Sequence, residues 1–204
     1  RWPIGILPAR DVSFDIASRS LAGPTSISGK TQTVSTDAGL WKATLGSILI
    51  RDRNSRLAFR AIANLLEGRL NPILVPLCRG DQPIVEGAVA DGLYDEVPHD
   101  DETYHDDDTG YVGGSIEVVS AAMAIRATSG AITIASGGTL EAGQHFSIGE
   151  RLYRLRTVDY NSANTANITF RPTLREAVSY GTFLNFDDPV VRMRLADDSQ
   201  MDLE

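Results

Sequence analysis

Cysteine is nearly absent from this chain of 204 residues, with Cys78 as its only example. A single cysteine excludes a disulfide within the chain and a cysteine-rich zinc site. Because Cys78 directly follows the apolar segment PILVPL, we expect a buried structural thiol there rather than a nucleophile.

Long apolar runs are also missing. Runs such as SILI at 47–50 and PILVPL at 72–77 are far shorter than the roughly 20 residues that a membrane-spanning helix needs. Two prolines interrupt the N-terminal segment RWPIGILPARD, so it does not predict a signal peptide. The hydrophobic content of 42 % is that of an ordinary globular protein.

Basic residues are missing between Arg79 and Arg126, where twelve Asp and Glu occur. The chain has a net charge of −8, so the rest of it carries +4. A free nucleic-acid binder needs a clustered basic face that neutralises phosphates. The separation of charge therefore argues against specific nucleic-acid binding.

Histidine is scarce, with His99, His105 and His145 as the only three. A nucleophilic Ser or Cys needs a positioned base, and no G-x-S-x-G motif occurs. We therefore predict no enzyme activity and no catalytic, cofactor-binding or metal-ligating residue. A pair of catalytic carboxylates stays open as an alternative, because any two of the 27 acids could lie within reach of one another.

One glycine-rich segment is similar to a phosphate-binding loop. GPTSISGKT at 23–31 ends in Gly-Lys-Thr, but its two glycines are one residue too far apart for G-x-x-x-x-G-K-[ST]. A strand pattern follows instead of a helix. The segment is therefore interpreted as a turn between strands.

An acidic run, VPHDDETYHDDDTGY at 97–111, places two histidines among six carboxylates within ten positions. It lacks the alternating ligands and central glycine of a calcium loop. His99 and His105 are six apart, whereas a helical zinc pair is four apart. We interpret the run first as a solvated loop, next as an electrostatic interface element, and least readily as a metal site.

The first 79 residues predict strands around one helix. DVSFDIAS, TQTVSTDAG and LWKATLGSILI each predict a strand, and NPILVPLC predicts another after the helix. Helix 55–67 is indicated by Phe59, Ile62, Ala63 and Leu66 at helical spacing, with Asn54 or Ser55 as the cap and Gly68 at the C-terminal end. This order predicts a β-sandwich-like domain with one helix, completed by 190–204.

The remainder predicts an acidic linker and a second domain. Residues 80–112 have little periodicity, which is typical of a loop or linker. Residues 113–189 contain short strand patterns at regular spacing, which predict a small antiparallel β-barrel. The segment SIEVVSAAMAIRA is expected to be one long strand, and VVRMRL at 190–195 another. The fold class is therefore mainly β, with an α+β N-terminal part.

Two segments of the sequence resemble bacteriophage tail-tip proteins of the distal tail type, including those of gene transfer agents. The first is GLWKATLGSILI followed by RLAFRAIANLLEGRLNPILVPL. The second runs from LEAGQHFSIGERLYRLRTVDY through ITFRPTLREAV to MRLADD, and is similar to a small barrel found in tail proteins.

The resemblance implies a virion structural protein that is assembled in the host cytoplasm. Such a protein forms a ring, most often a hexamer, that connects the tail tube to the baseplate or receptor-binding apparatus, and DNA passes through its lumen. Its expected partners are copies of itself, the tail tube protein and the hub or baseplate proteins. The alternative is a carbohydrate-binding or adhesion module of the tail, for which Tyr104, Tyr111, Tyr153, Tyr160 and Tyr180 are the available aromatic residues.

Overall fold

The structure is a computed structural model that describes residues 1–77, 82–83, 96–97, 111–112 and 116–201. Cys78 and residues 98–110 of the acidic run lie outside the described residues. The chain divides into two compact units. The first comprises residues 1–78, 149–152 and 190–204, and the second comprises residues 79–148 and 153–189.

The described elements are one helix and twelve strands, and the prediction of a mainly β fold is confirmed. In chain order they are β1 Ala9–Thr25, β2 Thr31–Ile48, α1 Arg53–Leu66, β3 Ile73–Pro76, β4 Glu96–Val97, β5 Tyr111–Val112, β6 Glu117–Ser120, β7 Ser129–Ser136, β8 His145–Ile148, β9 Arg151–Ser162, β10 Thr165–Arg171, β11 Phe183–Asn185 and β12 Val190–Met193. A short 3₁₀ helix, Asp198–Met201, follows β12. β4 and β5 pair with each other as a small antiparallel sheet.

Two very long antiparallel strands, β1 and β2, begin the first unit. The sequence predicted three strands before the helix, and this was wrong. Gly23 and Pro24 do not end β1, and TQTVSTDAG and LWKATLGSI form the single strand β2. The turn lies at residues 26–30, where Gly29 adopts a φ of 76° and its N–H donates to the Ser26 carbonyl. Pro24 is tolerated because a two-stranded sheet leaves an outer edge that needs no donor.

Helix α1 begins two residues earlier than predicted, and its cap is Asp52 rather than Asn54 or Ser55. The Asp52 side chain accepts the Ser55 N–H at 2.7 Å, and the Ser55 hydroxyl oxygen accepts the Asp52 N–H at 3.1 Å. This reciprocal pair is a capping box. At the other end Glu67 and Gly68 both adopt left-handed backbone, so Gly68 has the predicted conformation one residue after the C-cap.

Two apolar clusters hold the first unit together. One centres on Val75, Leu77, Leu152 and Val191, and the other on Trp2, Leu7 and Phe59. The predicted apolar stripe of α1 is confirmed in part, because its Phe59 and Leu66 positions are buried while Ile62 and Ala63 are half-buried.

The β-sandwich expected for the first unit is not confirmed. A sandwich needs two broad sheets packed face to face. Among the described residues of this unit, β1 pairs only with β2, and β3 pairs only with β12. β3 and β12 are antiparallel, with Val75 opposite Val191.

The second unit contains a closed antiparallel barrel, as predicted. Its six strands follow the order β10, β7, β6, β11, β8, β9 and back to β10. Inward positions alternate along the strands; Ile132 and Ile134 of β7 and Ile168 and Phe170 of β10 are buried. Phe146 lies at the centre of an aromatic group, with ring centroids 5.2–5.6 Å from those of its three neighbours, which are Tyr153, Phe170 and Phe186.

One predicted barrel strand is much shorter than expected. SIEVVSAAMAIRA supplies only the four residues of β6, after which Met123 makes a single bridge to Val178. Arg126 then adopts a φ of 68°, and its N–H donates to the Leu174 carbonyl. The segment therefore turns around one end of the barrel instead of continuing as a strand.

Candidate functional site

The β1–β2 ribbon, comprising Ala9–Thr25 and Thr31–Ile48, is the most unusual surface of the first unit. Near its base the ribbon is amphipathic, because Phe14 pairs with Ala43 and Ile16 pairs with Trp41 on one face. Phe14 and Trp41 pack on the cluster around Val75 and Val191. The Trp41 indole N–H also donates to the Leu152 carbonyl at 2.6 Å. The base is therefore fixed to the core of its own unit.

The outer half of the ribbon has no such support from the residues that the structure describes. From Ser20 to Val34 every residue whose burial is described is exposed, except the half-buried Gly23. Two of these exposed side chains are large and apolar, namely Ile27 at the turn and Val34 at 63 % exposure, and Leu40, which lies closer to the base, is 49 % exposed. A β-hairpin of two strands alone is marginally stable in water.

Both long edges of the ribbon have unpaired ladder positions as far as the described residues show. No third strand pairs with β1 or β2 in the part of the chain that the structure describes. At about 3.3 Å per residue, the 17 residues of β1 would extend roughly 55 Å. Unpaired N–H and C=O groups along such an edge form a template for a strand from another chain.

Helix α1 adds a second exposed surface that the sequence analysis missed. Its outward residues include Arg53, Arg56 and Arg60, beside Leu57 at 47 % and Leu65 at 65 % exposure. The signal was present in the sequence, because arginines at i, i+3 and i+7 share one helical face. The apolar stripe predicted from the sequence lies on the opposite side of the helix.

Two basic residues of the barrel occupy paired positions on neighbouring strands. Arg154 and Arg171 are opposite each other on β9 and β10, and the Arg154 Nε–H donates to His145 Nε2 at 2.8 Å. His145 is therefore a buried hydrogen-bond acceptor in the barrel wall. Arg156 and Arg175, by contrast, are exposed.

The tyrosines that were considered for an adhesion surface lie in different environments. Tyr153 is buried in the barrel core, and the Tyr160 hydroxyl accepts the Leu140 N–H at 2.7 Å. Tyr180 is 84 % exposed. The Tyr104 and Tyr111 side chains lie outside the described part of the chain. Among the described tyrosines, Tyr180 therefore has the most exposed ring.

Residues 98–110 of the acidic run lie outside the described residues. The three interpretations of this run, as a solvated loop, an interface element or a metal site, therefore stay predictions. Among the residues that are described, no group of three or more His, Cys, Asp and Glu side chains is arranged to hold a metal ion. The one described helix is too short and too polar to cross a membrane.

No protein-family model matches the sequence, and no curated protein matches it. Function is therefore argued from the surfaces described above.

Proposed function

We propose that this protein is a structural subunit of the tail tip of a long-tailed bacteriophage or gene transfer agent. In this proposal, copies of the chain form a closed ring, most simply a hexamer. The ring joins the tail tube to the baseplate or receptor-binding apparatus, and the first unit builds the ring as a β-sandwich-like assembly domain. The proposal includes no enzymatic activity and no cofactor.

The observation that carries the proposal is the long ribbon with two open edges. Val34 and Leu40 expose apolar surface on strands whose ladders have no third partner among the described residues. Exposed edges of this length lead to aggregation unless a defined partner covers them. A ring of identical subunits provides that partner for every copy and stops growing when it closes.

The resemblance in the sequence supports the identity of the ring. GLWKATLGSI lies in β2, where it includes the Trp41 that fixes the ribbon to its core. RLAFRAIANLL forms the main part of α1, and ILVP forms β3. The first of the two segments that carry the resemblance thus forms connected elements of the first unit.

Size-exclusion chromatography with light scattering tests assembly. A hexamer would have about six times the chain mass of 22.1 kDa, and electron microscopy of the same sample should show closed rings with a central opening. The double substitution Val34→Asp and Leu40→Asp should shift the protein towards monomers, because it places charge on the apolar part of the ribbon.

Ile125→Asp is the matched control, since Ile125 is 59 % exposed but belongs to the second unit. This variant should form the same rings as the original protein. A protein that remains monomeric at all concentrations tested would contradict the proposal. Equal loss of rings in the control would show that added charge, and not the ribbon, is responsible.

A further inference from the structure

The outer face of α1 combines charge and apolar surface in two parallel rows. Arg53, Arg56 and Arg60 form one row, and Leu57, Ala61 and Leu65 form the other at i, i+4 and i+8. All six residues are exposed. At about 100° per residue, the two rows are adjacent along the same side of the helix.

The arginine row forms no ion pair with the described residues, although Arg56 has an electrostatic attraction to the Asp52 carboxylate. No described carboxylate lies within 4.0 Å of the guanidinium groups of Arg53, Arg56 or Arg60. The acid nearest in sequence, Asp52, is engaged as the helix cap. This face therefore offers three charge-assisted donors to an acidic partner.

The chain itself contains a segment of the complementary chemistry. Residues 84–108 include ten Asp and Glu and no Lys or Arg. Its part IVEGAVADGLYDEV contains four acids among apolar residues, so its composition includes both carboxylates for the arginines and apolar side chains for the leucines. A head-to-tail ring requires two different, complementary surfaces on every copy.

We propose that the outer face of α1 binds the acidic segment 84–108 of a neighbouring copy. This inference rests on the proposed ring and assigns one of its contacts. An anionic membrane surface has some of the same chemistry, but a net charge of −8 opposes the approach of this protein to such a surface. Exposed ion pairs are individually weak, so the contact guides the orientation of subunits and adds modestly to affinity.

A peptide-binding assay tests the face directly. The probe is a fluorescent peptide of residues 84–108, and the receptor is the full chain with Asp100, Asp101, Asp106, Asp107 and Asp108 changed to Asn, which weakens competition from its own segment. Arg53→Gln, Arg56→Gln and Arg60→Gln together should weaken peptide binding roughly tenfold, as expected for three exposed pairs. Binding should also weaken with added salt.

The matched control changes three exposed arginines of the barrel unit, Arg126, Arg156 and Arg175, to Gln. The net charge changes equally, but peptide binding should change less than twofold. If this control weakens binding as much as the helix variant, or if the peptide does not bind, the assignment to α1 is overturned. Rings of the original protein would then still support the proposed function.

Light scattering shows whether the segment that binds α1 comes from a neighbouring copy or from the same chain. The helix variant and the Asp→Asn variant should each assemble less well than the original protein. Mixing them should produce one-to-one pairs, since the Asp→Asn variant supplies an intact helix and the helix variant an intact segment, but not closed rings, since the reverse contact stays defective. Peptide binding by a chain that never assembles would overturn both the neighbouring-copy assignment and the ring. Co-sedimentation with phosphatidylserine vesicles that depends on the three arginines, without peptide binding, would assign the face to a membrane.

Discussion

The barrel and the ribbon are both built from antiparallel strands, but they differ in how many neighbouring strands each strand pairs with. Each barrel strand has a neighbour on both sides, and the interior is filled by fully buried rings such as Phe146, Phe170 and Phe186. The ribbon has one ladder between two strands, and among the described residues its outer half packs on nothing. Because the barrel is closed, its strands pair with one another and need no outside partner. The ribbon, by contrast, is stabilised only where its base packs on the core or where another chain covers its edges.

The largest expected effect concerns the barrel core. Phe146→Ala should cost about 3–5 kcal/mol of unfolding free energy, because it empties a site surrounded by three aromatic rings. Denaturant unfolding followed by circular dichroism measures this loss. The matched control is Phe183→Ala on β11, where the ring is 45 % exposed and the cost should be below about 1 kcal/mol. Similar costs at the two positions would mean that the barrel interior is not the main source of its stability.

The next effect concerns the helix that completes the core of the ribbon unit. Phe59→Ala should cost about 3 kcal/mol, since Phe59 is 5 % exposed and packs with Trp2 and Leu7. Leu57→Ala, two residues away and 47 % exposed, should cost much less in the same unfolding measurement. A loss below roughly 1 kcal/mol for Phe59→Ala would argue against burial of this face in the single chain.

A smaller effect should follow the protonation of the helix cap. Hydrogen bonds from the Ser55 hydroxyl and then the Ser55 N–H hold the pKa of Asp52 below its ordinary value of 3.8. Because the folded pKa is the lower one, the ionised cap stabilises the fold fully above pH 3.8, and this contribution is lost as pH falls through the folded pKa. Melting temperatures between pH 6 and pH 2 should therefore fall more for the original protein than for Asp52→Asn, which can cap without titrating.

An exposed acid provides the control for that comparison. Asp159→Asn removes an exposed carboxylate on β9 that caps no helix, and it is the comparison variant in the same measurement. If Asp52→Asn shows the same acid dependence as the original protein, the cap does not contribute to it.

The smallest effect on the single chain is expected in the ribbon. Val34→Asp should change the unfolding free energy of dissociated protein by no more than about 0.5 kcal/mol, because the side chain is 63 % exposed. In the assembled protein, hydrogen exchange at the backbone amides of residues 20–34 should be slower than in the dissociated protein, since neighbouring chains cover the edges. Equal exchange in the two states would exclude these edges from the assembly contact.

Local patterns in the sequence were sufficient for the barrel and for most of α1. Alternating apolar residues placed β7 and β10, and helical spacing identified the buried positions of Phe59 and Leu66. The cap was missed because Asn54, Ser55 and Asp52 are all acceptable cap residues, and only the backbone decides which one is extended. The arginine face of α1 was not predicted, because apolar spacing identifies the buried side of a helix and gives no information about the exposed side.

By itself, the sequence determined which segments are apolar enough to be strands, where one amphipathic helix lies, and that acidic charge is concentrated between Arg79 and Arg126. These properties depend on neighbours along the chain. Only the tertiary structure decided which six strands form the barrel and in which order, that Gly23 and Pro24 lie within a continuous strand, and that Val190–Met193 pairs with Ile73–Pro76. Strand pairing joins residues that are distant in sequence. Its free energy depends on side-chain packing and on hydrogen bonding along strand edges, and a local sequence pattern gives information about neither.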